Sequence, residues 1–99
     1  MSNSIIQDED IKRCFITHQR CGKNGEPLER HHIMNGSLRD FSEQFGLWIW
    51  ITPEMHRFLH DTGTGALIQK NVLKPLAQMY FEREYSHELW MNKVHKNYV

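Results

Sequence analysis

The sequence predicts an α+β domain: a short β-hairpin with one helix laid across it, followed by C-terminal helices. Three observations predict it. Leu47-Trp48-Ile49-Trp50-Ile51 is a continuous β-prone apolar run, too short for a buried helix and bounded by Gly46 and Pro53. Thr52-Pro53-Glu54 directly behind it is a helix opening, with a capping hydroxyl, proline at the first helical position and an acid on the positive end of the dipole. Apolar residues then recur at helical spacing from about residue 66 to residue 94.

Taken in order, residues 1–11 are polar apart from Ile5 and Ile6 and are expected to be loose, and residues 12–16 form a short extended or turn-forming segment. Residues 21–26 are dense in turn formers and read as a surface loop. Leu28 to Ile33 reads as a strand stopped by Asn35 and Gly36. Ser37 is placed to cap a brief helix with Leu38, Phe41 and Phe45 on one stripe, Asp40 in its first turn and Gly46 as its stop. After the strand 47–51, a helix runs from Pro53 to about His60, which closes a core unit at 28–60. Asp61 to Gly65 breaks the chain direction before a longer helix from about Ala66 to Tyr85, with Leu67, Leu73, Leu76, Tyr80 and Phe81 inward and Pro75 kinking or dividing it. A last helix, Ser86 to Val94, presents Leu89, Trp90 and Lys93, so the C-terminal helices occupy 66–95.

A chain of 99 residues that is 39% hydrophobic supports one core and therefore a single domain, 1–99. Lys plus Arg and Asp plus Glu stand at 12 each, so no global positive field draws the molecule to nucleic acid, and any such contact must come from local patches. The N-terminus lacks a charged region followed by an apolar run, and no apolar stretch has bilayer length, so the expectation is a soluble, cytoplasmic protein without a membrane partner. Cys14 and Cys21 are expected as free thiols in a reducing compartment, although a bridge closing a short loop is sterically conceivable.

Seven histidines are the one compositional oddity. His31 and His32 are adjacent near the end of a strand, so their side chains point to opposite sides or splay at the strand-loop junction and cannot do the same job. His56 and His60 are four apart on the predicted helix, which puts both imidazoles on one face within reach of a single ion. An isolated pair at that spacing is as readily a coincidence of a helix surface, but this pair follows a strand carrying His-His. His18, His87 and His95 have no partner at ligand spacing and read as solvent-facing.

Glu29-Arg30-His31-His32-Ile33 followed by Thr52-Pro53-Glu54-Met55-His56-Arg57 resembles the ββα-metal core of the HNH endonucleases. Beyond that core the chain resembles short phage-encoded HNH-like proteins, from Arg13-Cys14-Phe15 through Phe41-Ser42-Glu43 and Gly46-Leu47 to Lys96-Asn97-Tyr98-Val99. The resemblance implies a metal-dependent DNA endonuclease acting in phage DNA metabolism in the host cytoplasm. It makes His31, His56 and His60 the ligands of one divalent ion (Zn, Ni, Mn or Mg) and His32 the general base. Arg57 and Arg30, each adjacent to a proposed ligand, are candidates for the scissile phosphate, and Lys12 and Arg13 for other DNA contacts; in a purely binding protein the clusters Lys12-Arg13, Arg20-Lys23 and Lys93-Lys96 would be the phosphate contacts. Neutral imidazoles are required throughout, so activity should fall below roughly pH 6.

The chain also departs from that pattern. Where many relatives carry two Cys-x-x-Cys pairs around a structural zinc, it has Cys14 with Thr17 and Thr52 with Met55, so no thiolate tetrad and no structural zinc are expected. Packing of Phe15, Trp48, Trp50 and Met55 would take over its stabilising role. Gly46 and Leu47 stand where the family's middle Asn is expected, with Asn35 a partial substitute, and Asp61 is the alternative to His60 as last ligand. A non-catalytic DNA- or protein-binding phage protein that kept the fold is the rival reading; a single domain that cuts both strands would need two passes or a homodimer.

Overall fold

The computed structural model describes residues 3–8, 10–61 and 63–99. Its architecture is α+β, with one two-stranded antiparallel sheet and a helical remainder. Strand β1 is Glu29–His32 and β2 is Trp48–Ile51, paired Glu29 to Ile51, Arg30 to Trp50, His31 to Ile49 and His32 to Trp48. Alternation along the strands therefore divides the sheet. Glu29, His31, Ile49 and Ile51 share one face, and Arg30, His32, Trp48 and Trp50 the other.

Between the strands lie a 3-10 turn, Gly36–Leu38, and helix α1, Arg39–Phe45. Ser37 sits inside the turn and does not cap α1, whose N-cap is Leu38 without a side-chain bond. The connection is anchored instead by Ser42, whose hydroxyl accepts from the Met34 amide at 2.9 Å and donates to the Met34 carbonyl at 2.7 Å. Gly46 ends α1 in the left-handed region at φ +71°, where its missing side chain also leaves room for the Asn3 carbonyl.

Helix α2 is Pro53–His60, capped by the Thr52 hydroxyl accepting from the Met55 amide at 3.2 Å. The long helix expected next is divided into α3, Thr64–Ile68, a π-helical turn, Gln69–Leu73, and α4, Lys74–Glu84. Pro75 lacks the N–H that would bond one turn back, and the wider π turn directly precedes it. Helix α5 is His87–Val94, capped by Ser86.

Ile33, Leu47, Ile49, Ile51, Leu59, Leu73, Ala77, Phe81 and Trp90 are among the buried residues of one core. Trp48 is fully buried, and Phe15, Trp50 and Met55 pack partly buried against the core. One expected inward position is corrected. Leu67 is 57% exposed, because the residue of α3 that packs against α2 is Gly65, two positions earlier and so on the other side of the helix. Of the three residues that α5 presents, Trp90 is buried, Leu89 partly buried and Lys93 exposed. The N-terminal segment is also tied rather than loose over residues 4–7: the Ser4 hydroxyl donates to the Trp48 carbonyl at 2.6 Å, and the Gln7 side-chain oxygen accepts from the Trp50 amide at 2.9 Å. Met1, Ser2, Glu9 and Thr62 lie outside the described residues. Among the described residues no helix is long and apolar enough to cross a membrane.

Candidate metal centre

β1 and α2 bring three imidazoles together. One ring nitrogen from each of His31, His56 and His60 lies within 4.8 Å of the other two, and this is the one such group of metal-ligating side chains among the described residues. His31 reaches it from the helix-facing side of the sheet; His56 and His60 reach it from one face of α2, one turn apart. The rings pack edge to face, 5.3 Å between the His31 and His56 centroids and 5.7 Å between those of His31 and His60.

Outer groups hold two of the rings. His31 is 1% exposed and its Nε2 is 2.8 Å from the Gln69 amide oxygen. Burial away from water disfavours the imidazolium and pushes the His31 pKa down to about 4, so the ring is a neutral donor at ordinary pH. His56 Nδ1 is 2.8 Å from Glu29 Oε1, a carboxylate two residues before His31 on the same sheet face. His60 is exposed at the end of α2.

His32 lies on the opposite sheet face but at the strand end, where it turns into the pocket shared with the three rings. That pocket, of about 170 Å³, is lined by Arg30, His31, His32, Asn35, Arg39, His56 and His60. His32 Nε2 is 2.5 Å from Glu43 Oε2, and the other Glu43 oxygen receives the Arg30 guanidinium at 2.8 Å. The hydrogen bond from His32, aided by Arg30, holds the Glu43 carboxyl below its ordinary pKa. No protein-family model, curated protein or solved structure matches the chain.

The proposed phosphate contacts are dispersed. Arg57 does not line the pocket that holds His32; with Glu29, Pro53, His56, His60 and Asp61 it lines a second depression, which shares the two helix histidines with the first. Arg39, which spacing in the sequence did not single out, lines the His32 pocket instead. Arg30 stacks over Trp48 at 3.9 Å and Lys12 over Trp50 at 4.3 Å, both on the sheet face away from α2. Arg13 lines a separate depression with Gln7, Phe15 and His18. Cys14 is buried and Cys21 exposed, both free; burial raises the Cys14 pKa, but hydrogen bonds led by those of Thr17 outweigh it and the net shift is downward. Asn35 lines the pocket, whereas Asp61 is outside the three-imidazole group.

Glu29, Glu43 and Gln69 are the other residues that spacing did not single out. Strand alternation placed Glu29 on the His31 face and was the one available signal. Glu43 and Gln69 meet the histidines only through the paths of α1 and the π turn.

Proposed function

We propose that the chain is a metal-dependent DNA endonuclease of the HNH, ββα-metal type. The observation that carries this reading is the pocket in which an imidazole outside the ligand group, His32, opens beside three that can share an ion. Three neutral nitrogen donors suit a borderline divalent ion such as zinc, nickel or manganese better than magnesium, and three protein ligands leave positions open. When bound, the ion supplies Lewis-acid stabilisation of the charge that gathers on the phosphate and leaving oxygens.

The chain's own residues would do the rest. Glu43 accepts the His32 Nε2 hydrogen, which leaves Nδ1 as the basic nitrogen. Nδ1 takes a proton from the attacking water as the new oxygen–phosphorus bond forms and the bond to the leaving oxygen breaks. The leaving oxygen is then protonated from solvent. Arg30 holds Glu43, so the base keeps its orientation, and Arg39 faces the place a phosphate would take.

Supercoiled plasmid incubated with the protein and manganese, nickel, zinc or magnesium tests the proposal. Nicking is expected with at least one ion, is abolished by EDTA, and falls by about 10²- to 10⁴-fold in His32→Ala. No nicking with any ion, or equal nicking by the variant, rejects it.

A further inference from the structure

The nuclease reading leaves open which nitrogen of His31 faces the ion, and a residue far away in sequence decides it. Gln69 opens the π turn, in which the Lys74 amide bonds the Gln69 carbonyl five residues back. Its side chain is nearly buried and reaches β1, where the amide nitrogen donates to the Ile33 carbonyl at 2.8 Å. A carbonyl can only accept, so the group facing Ile33 must be the NH2 and the group facing His31 must be the oxygen. That oxygen can only accept in its turn, so the His31 Nε2 beside it, at 2.8 Å, must carry hydrogen. In the neutral ring the lone pair then belongs to Nδ1.

We propose that Gln69 is a positioning residue that locks His31 as the Nε2–H tautomer, so that Nδ1 is its metal-ligating nitrogen. The inference rests on the metal centre proposed above. The Ile33 carbonyl belongs to the strand end just after His31 and His32, so one amide fixes both the tautomer of the ligand and the distance of the π turn from the strand that bears it. Gln69 thus does for His31 what Glu29 does for His56: each holds the ring nitrogen that does not face the ion. π turns recur at functional sites because they displace one side chain from the regular helical phase, and here the displaced region meets the ligand strand.

Nitrogen-15 NMR of the histidine rings, recorded without metal and with zinc, tests the assignment in the wild-type protein. A protonated Nε2 on His31 in both states, with zinc shifting only Nδ1, is expected; zinc on Nε2, or a His31 ring exchanging between tautomers without metal, overturns it. Zinc titrations by calorimetry on two variants separate positioning from simple packing. Gln69→Leu removes the acceptor and should weaken zinc binding by about 10- to 100-fold. Gln69→Glu keeps an acceptor for Nε2–H but loses the donor to Ile33, so it should stay within about threefold of wild type in affinity even where thermal melts show lost stability. Equal weakening in both variants, or none in Gln69→Leu, overturns the positioning role. Failure of the wild type to bind zinc, nickel or manganese would instead reject the centre itself, and the inference with it.

Discussion

His31 joins two demands in one side chain, because it fills a buried place in the sheet face and offers a nitrogen to the site. A ring held at about pKa 4 inside the fold titrates near 6.5 once the chain unfolds. Between those values the unfolded chain holds a proton that the folded chain does not. Stability must therefore be complete above pH 6.5 and fall as the pH drops toward 4, by about 3 kcal/mol from this residue alone. Urea unfolding of the metal-free protein at several pH values measures it. Wild type should lose more stability on acidification than His31→Leu, and parallel slopes for the two would refute the prediction. Acid would thus remove the donor and weaken the strand that carries it within one pH range.

At the scale of elements, the contact of α2 with α3 sets where the π turn lies. Gly65 is the close-approach point: a Cβ there would sit 1.7 Å from the Phe58 carbonyl oxygen and 2.6 Å from its carbon, backbone atoms that cannot swing aside. Gly65→Ala should therefore cost about 3 kcal/mol in chemical denaturation, and a loss below about 0.5 kcal/mol would show that the two helices part freely. Gln69 follows Gly65 by one turn, so the same substitution should also loosen the contact with β1. The strands and α2 were legible in the sequence because their signals are local: an apolar run between Gly46 and Pro53, a Thr-Pro opening, a four-residue histidine spacing. The division of the long helix was not legible, since Pro75 announces a disturbance without saying whether it becomes a kink, a break or a π turn. For the same reason the histidine cluster could be read from strand order and helix period, whereas Glu43 and Gln69 could not. Their contacts with His32 and His31 span 11 and 38 residues and depend on how whole elements pack.

On the scale of the whole molecule, an ion at His31, His56 and His60 would tie the first strand to α2 across the sheet. An ion that binds only the folded state, supplied at about 100 times its Kd, adds about 2.7 kcal/mol. For a chain of this size that corresponds to a rise in Tm of roughly 10–20 °C. Thermal melts with and without zinc should show this rise in wild type and a smaller one in His60→Ala, and an unchanged Tm at saturating zinc would reject the centre. The tether of the N-terminal segment has its own consequence at this scale. Ser4, Ile5 and Gln7, with Phe15, engage backbone groups of Gly46, Trp48 and Trp50 along the outer side of β2. An open strand edge is an adhesive surface that invites another chain to add itself to the sheet. Here that surface is already taken over these residues, so copies of the protein cannot join by extending β2. Two copies of the protein would have to meet elsewhere, and removing Ser4 to Gln7 would uncover the part of this sticky edge that they cover.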